Sequence, residues 1–361
     1  MPEIRIDPLS GHRTIVAGER SRRPGGAPTL TEAERAVEPI DPERDPFAEG
    51  NEDRTPPELY AVRPNGGVPN SPGWTVRVVP NLYPALAPRE DGVMDADAPS
   101  VREAAGSLGA DASARAEADL REGPRGSALA ELFSSLPATG AHEVIINGPQ
   151  PVLSLAELPR EQVQSAMQAW RERMRFHEQC AYVQLIVNER RQAGASLPHT
   201  HAQLYGLDFV PAAVARERER AGAYATRTTG QSLLGDLVAE EVRLRERIVA
   251  IDEEAVLIAP YASRLPFQLM LAPRRPVPRF EQDGPTGAAL LHEGLQRLAR
   301  HLGASPPLNM WVRTAPRGVE HFCWRIDVLP RLTHLAGLEL STDLNLNIVA
   351  PEHAAALLRE V

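Results

Sequence analysis

Lysine is missing from this chain: all 39 positions that carry Lys or Arg are arginine. Its absence excludes a Schiff-base lysine and the lysine of a phosphate-binding P-loop. Any anion must be held by arginine, backbone N–H, hydroxyl or amide groups. Cysteine is nearly missing too. Cys180 and Cys323 lie far apart in sequence, which fits neither a disulfide framework nor a cysteine zinc cage. No apolar run approaches the roughly 18 residues that mark a membrane span. The N-terminal stretch MPEIRIDPLSGHR lacks the apolar core of a secretory signal, so the expected location is the cytoplasm. A net charge of −9 argues against nucleic acid and anionic membrane surfaces as partners, because both would repel the chain.

What the chain does have is length and apolar residues. With 361 residues at 42% hydrophobic content it can fill one large domain or two ordinary ones. Residues 1–60 are rich in Pro, Arg and Glu and read as an ordered arm, too poor in apolar residues for core. WTVRVVPNLYPAL (74–86) alternates as a strand does, until Pro80 and Pro84 break it. Residues 88–127 are dominated by Ala, Asp, Glu, Arg and Gly and read as a flexible insertion. AHEVIINGP (141–149) is a strand, PREQVQSAMQAWRERMRFHEQ (159–179) a helix by its apolar spacing, and AYVQLIVNER (181–190) a buried strand. Residues 211–250 read as one or two charged helices. Strands and a long helix then recur, and a short helix with Pro351 at its start ends the chain. The expected class is α+β, with antiparallel sheets flanked by helices. The chain divides into an N-terminal unit over 1–210 and a C-terminal unit over 211–361, loosely alike in element order.

The richest stretch is AGASLPHTHAQLYG (193–206). Pro198 bars a helix, and the residues after it favour a strand, on which His199, His201 and Gln203 share a face. Gly194 and Ser196 form a small turn of the kind that offers N–H groups and a hydroxyl to an anion. Asn188 adds an amide at the end of the preceding strand. The inventory suits a phosphate ester: imidazole, with an ordinary pKa of about 6.5, is a competent nucleophile near neutrality. Attack on phosphorus splits a transfer into two steps, and the amide of Gln203 with Ser196 can hold the oxygens whose charge shifts. Two histidines one residue apart are also a zinc-ligand spacing, and also an ordinary polar strand pattern. Spacing does not choose among the three. His142 is read as a strand residue near the site. Arg264 and Arg274–Arg275 are able to hold a phosphate, with a solvated arginine the simpler reading.

The same segment resembles the active-site motif of the galactose-1-phosphate uridylyltransferase family, a branch of the histidine-triad superfamily. Asn188, Gly194, Ser196, Pro198, His199, His201 and Gln203 match it without a gap. The resemblance implies that His201 takes up the nucleotide and that Gln203 holds the phosphate. It extends over most of the chain. IRIDPLSGHRTIVAGERSRRP resembles the arm whose arginines approach the nucleotide phosphates, here Arg20 and Arg23. VVPNLYPAL resembles the segment that grips base and ribose, with Asn81 matching. HFCWRIDVLPRLTHLAGLELSTDLNLNIVAPEHAA resembles the sugar-phosphate segment, which implies acceptor contacts from Glu339 and Asn347. The family fold implied is two tandem histidine-triad-like units, commonly paired as a homodimer.

Departures from the family pattern are as informative. Asp45 and Ala48 stand where many members carry a zinc-binding Cys-x-x-Cys pair, and Pro151 stands where a further zinc histidine belongs. At a second metal site of some members the chain has Cys323, Arg325 and Pro276, with Glu217 remaining. Both ligand sets are largely replaced, so no metal or other cofactor is expected, and His199 reads as a hydrogen-bonding neighbour of the nucleophile. The Asn81-Leu82-Tyr83-Pro84 form of the base segment resembles the adenylyl-handling branch, the sugar-nucleotide phosphorylases. The resulting expectation is a metal-independent nucleotidylyltransferase using a nucleotide sugar and a phosphorylated acceptor. A phosphorylase or hydrolase of the same chemistry is one alternative, and a non-catalytic nucleotide-binding protein another.

Overall fold

Strand-period alternation dictates the architecture. In β6 (Tyr182–Glu189), Val183, Leu185 and Val187 are buried in one hydrophobic core, while Gln184, Ile186 and Asn188 point the other way. The same alternation runs through β4 (Val76–Pro80), β5 (Gly140–Ile146) and β7 (His201–Leu207). It recurs in β11 (Leu308–Arg313) and β12 (Arg325–Pro330). The computed structural model describes residues 2–22, 28–36, 39–88, 133 and 135–361. The insertion expected at 88–127 lies outside the described residues from 89 onward, as does Arg23.

With β3 (Tyr60–Val62), β8 (Ile248–Ile251), β9 (Ala255–Ile258) and β10 (Leu269–Pro273), these strands make one ten-stranded sheet. Its order is β3-β4-β5-β7-β6-β11-β12-β10-β9-β8. Every pairing within it is antiparallel. Residues 60–207 and 248–330 repeat one element order: three strands, a long helix, two strands. The two innermost strands, β6 and β11, pair with Asn188 opposite Asn309 and Ile186 opposite Trp311. A single antiparallel sheet therefore runs across both halves.

The long helices α2 (Arg160–Phe176) and α5 (Ala288–Leu302) carry apolar residues at helical spacing, among them Val163, Met167, Trp170 and Leu291, Leu295, Leu298. They pack with the terminal helix α7 (Pro351–Arg359) on one face of the sheet. Pro351 occupies the first turn of α7, where its missing N–H costs nothing. The region 211–250 forms two helices, α3 (Ala212–Arg227) and α4 (Leu233–Leu244), and α4 covers the C-terminal part of the opposite face. The remaining helices, α1 (Glu32–Arg35) and α6 (Gly337–Thr342), are short.

The arm is more integrated than its composition suggests. β1 (Glu3–Ile6) and β2 (Arg13–Val16) form an antiparallel hairpin, and β13 (Asn345–Asn347) joins β2 in parallel, tying the C-terminal segment to the N-terminus. Phe47, placed outside the core by its polar surroundings, is buried with Trp74, Val79, Val144 and Ile146 on the face of the sheet opposite α2. One large aromatic suffices to anchor an otherwise polar loop.

Candidate active site

β6 ends at Glu189, and the chain reverses through a one-turn 3-10 helix, Arg191–Ala193. Gly194 stops that turn at φ 91, its N–H bonded to the Arg191 carbonyl. A Cβ here would meet nothing within 4 Å, so the positive φ alone favours glycine. Ser196 comes next but one, exposed on the loop. β7 begins only at His201. His199 therefore lies just before the strand that carries His201 and Gln203 but on the same side of the sheet, its ring edge-on to Phe47 with centroids 6.2 Å apart. It is fully buried below the loop, its Nδ1 2.6 Å from the Asp45 carboxylate and its Nε2 2.8 Å from the Gly148 carbonyl.

His199 still shapes the site, through its backbone. The Nδ1–H of His201 donates to the His199 carbonyl at 2.7 Å. That bond fixes the tautomer and leaves Nε2 as the nitrogen with the lone pair. The Phe47 ring packs edge-on against the His201 imidazole, centroids 5.2 Å apart. Burial pushes the His201 pKa below its ordinary value, against the pull of the His199 carbonyl, so the ring is neutral at pH 7. A buried, oriented, neutral imidazole with Nε2 open is a nucleophile in waiting.

Gln203, two residues along the same face, is held by its oxygen. Oε1 accepts from the Tyr205 hydroxyl at 2.8 Å and from His142 Nε2 at 3.1 Å. His142 has that proton to give because its Nδ1 accepts the Ala85 N–H at 3.0 Å, and burial holds its pKa low. The Gln203 NH2 group is thereby turned outward as a donor pair. Register explains the cluster: β5 and β7 set His142 opposite Tyr205, whose rings stack at 4.1 Å, and Val144 opposite Gln203. Asn81 lies 3.0 Å from His142 Nε2 and accepts the Tyr83 N–H on its own oxygen at 2.9 Å. On the other side, β6 pairs Val187 with Ala202, so the next residues, Asn188 and His201, are neighbours. Asn309 fixes Asn188, donating to its Oδ1 at 2.8 Å and to the Ala193 carbonyl at 2.7 Å.

The fold thus gathers His201, Gln203, Asn188 and Asn81 on one face of the sheet, with the Gly194–Ser196 turn above. It does not bring Arg20, Glu339 or Asn347 to them within the chain. Arg20 is exposed on the 3-10 turn Gly18–Arg22, bordering a cavity of about 830 Å³ with Arg35, His301 and His353. Glu339 accepts the Ala336 N–H at the start of α6. Asn347 is buried and fully used: its Nδ2 donates to the Ser263 and Leu265 carbonyls and its Oδ1 accepts the Val349 N–H. Nothing of its amide is left for an acceptor. Sequence reading missed Phe47, Tyr205 and Asn309, and Asp45 as the partner of His199. Asn309 sits on a strand of the other half, and no local pattern ties it to Asn188.

The residues at the family's metal positions do not fit a metal. Both ring nitrogens of His199 are taken, and neither Ala48 nor Pro151 carries a ligating atom. At the other position Arg325 donates to Glu217 at 2.9 and 3.1 Å, which puts a guanidinium where a cation would have to sit.

Comparison with known proteins bears on this geometry. A family model described as "Galactose-1-phosphate uridyl transferase, N-terminal domain" matches residues 1–211, and a domain of unknown function, DUF4921, matches residues 153–360. The ADP-glucose phosphorylase of Arabidopsis thaliana is 26% identical over 373 residues, covering 100% of this chain and 93% of that protein. A galactose-1-phosphate uridylyltransferase of Cryptococcus neoformans is 29% identical over 63% of this chain and 66% of its own length. The crystal structure of the Arabidopsis phosphorylase with bound ADP-glucose superposes with a TM-score of 0.73 at 24% identity, covering 100% of this chain and 99% of that one, which speaks for the fold. With more than half its length matched, the chain belongs to the galactose-1-phosphate uridyl transferase family, whose members named here are transferase enzymes.

Proposed function

We propose that the protein moves a nucleoside monophosphate from a nucleoside diphosphate sugar to a phosphorylated acceptor through a covalent intermediate on His201. One observation carries the reading: the His201 Nδ1–H is anchored on the His199 carbonyl, which leaves Nε2 open beside the free amide of Gln203. Nε2 attacks the phosphorus that bears the nucleoside. The P–O bond to the sugar phosphate breaks, and its electron pair leaves on the sugar-phosphate oxygen. No proton need move, because the retained Nδ1–H faces a carbonyl that stabilises the positive charge developing on the ring. In the return step an acceptor phosphate oxygen attacks, the P–N bond breaks and His201 is neutral again. With the metal positions filled by paired side chains, the cycle is taken to run without metal.

Phosphorolysis, with inorganic phosphate as acceptor, is the favoured form of this chemistry. The Asn81-Leu82-Tyr83-Pro84 segment and the full-length match to an ADP-glucose phosphorylase both support it. The same reading takes 1–210 and 211–361 as two histidine-triad-like units of a cytoplasmic homodimer.

Intact-protein mass spectrometry after incubation with ADP-, UDP- and GDP-sugars tests it. A gain of one nucleoside monophosphate, lost in His201→Asn and unaffected by a chelator, is the expected result. A full-sized adduct in the His201→Asn variant would overturn the assignment.

A further inference from the structure

Asn188 is a wall shared by two spaces. One holds His201. The other is a cavity of about 310 Å³ on the same face of the sheet, reached across β6 and β11. Its polar lining is Asn188, Asn309, Asn345, Trp311, Arg264 and Arg331, and among the described residues no carboxylate borders it. In a chain of net charge −9 that is a concentrated patch of hydrogen-bond donors.

Four of these side chains are also unspent as donors. Asn345 Nδ2 and Trp311 Nε1 are buried without a hydrogen-bond partner among the described residues. The guanidinium groups of Arg264 and Arg331 have neither an ion pair nor a hydrogen bond there, Arg264 lying over the Trp311 ring at 5.6 Å. Arg264 also borders an adjoining cavity that contains Glu217 and Asp327. Both carboxylates are already held by Arg325. Unpaired buried donors cost free energy unless something accepts from them, and two guanidinium forks match the oxygens of a phosphate.

We infer that Arg264 and Arg331, with Asn345 and Trp311, seat the phosphate dianion that exchanges with the nucleotide on His201. This inference rests on the proposed function and deepens it. The nucleoside lies toward β5, over His142 and Asn81; the leaving and attacking phosphate lies toward β11. The ligand is either inorganic phosphate or the phosphate of a sugar 1-phosphate, which share the dianionic group.

Calorimetric titration of the full-length protein with inorganic phosphate, and separately with glucose 1-phosphate, tests it without reference to turnover. The proteins compared are wild type, Arg264→Gln, Arg331→Gln and His201→Asn, each first shown to keep its melting temperature. Loss of one charge-assisted contact should weaken binding roughly 10- to 100-fold in each arginine variant, while His201→Asn binds as wild type does. Arginine-dependent binding of inorganic phosphate alone names phosphorolysis; tighter arginine-dependent binding of glucose 1-phosphate names the sugar ester. Absence of binding by the wild-type protein, or binding by both arginine variants as tight as by the wild type, overturns the inference even where His201 takes up nucleotide. If the arginine effect holds and His201 forms no adduct, the phosphate seat stands and the transfer reading falls.

Discussion

β7 and β12 occupy matching places, each second from the seam of the sheet, and each begins seven residues after a positive-φ glycine, Gly194 in one half and Gly318 in the other. The first residue of β7 is His201; the first of β12 is Arg325. Two positions on stand Gln203 and Asp327, and two positions back His199 and Cys323. In the N-terminal half the key atoms are left unbonded: Nε2 of His201 and the amide of Gln203. At the matching positions of the C-terminal half the polar groups are spent. Arg325 binds Glu217 and Asp327, and Glu217 also faces Arg313 at 3.4 Å. Burial pushes the Cys323 thiol up to about 12, so it is inert. One backbone plan therefore yields an open candidate site or a structural clamp, depending on whether the polar groups at the head of that strand are satisfied from within.

Mutations that exchange loss of chemistry for loss of stability sharpen this contrast. His201→Asn should have the largest effect, lowering turnover by at least about 10⁴-fold with an unchanged melting temperature; comparable turnover in the variant would remove the distinction. Arg325→Met strands the buried Glu217 carboxylate and should cost about 3–5 kcal/mol of stability, read by denaturant unfolding. The surviving folded protein should still accept a nucleotide on His201. Asp45→Ala should have an intermediate effect, about 1–3 kcal/mol. It should also slow nucleotide uptake, because the carbonyl that orients His201 belongs to the residue Asp45 holds.

The smallest and most specific effect concerns pH. Glu189, on β6 beside Asn188 but facing the core, accepts the Leu155 N–H at 2.7 Å, while burial raises its pKa from 4.5 to about 7. Between those values the folded chain keeps a proton that the unfolded chain has released. Stability should therefore fall as pH rises from about 4.5 to 7. Glu189→Gln should flatten that slope, as urea midpoints at pH 5 and pH 8 would show; parallel curves for the two proteins would contradict it.

Much of this was legible in the sequence. The alternation of YVQLIVNE fixed β6 and its buried face, and the apolar spacing of 159–179 fixed α2. The motif at 188–203 located Asn188, His201 and Gln203, which the fold brings together. Long-range geometry was not legible. Pro198 excluded a helix without showing that the strand starts only at His201, and so His199 was read as part of the strand. Phe47 lies in a polar stretch whose neighbours hide its burial. Asn345, not Asn347, turns an unpaired amide into the cavity, because β13 pairs with β2 in a register that buries Asn347 against the carbonyls of 263 and 265. Two asparagines on one strand face offer no sequence signal to separate them.

The β6–β11 pairing gives the molecule a joint that cannot be cut cleanly. A chain divided near residue 210 would leave β6 as a bare edge strand, its outward N–H and C=O groups unpaired along the length that β11 now covers. Asn188 would lose Asn309, and Arg264, Arg331 and Asn345 would go with the other fragment. Half of this protein would keep His201 and lose the proposed phosphate seat, with a sticky edge inviting a second copy to fill the gap.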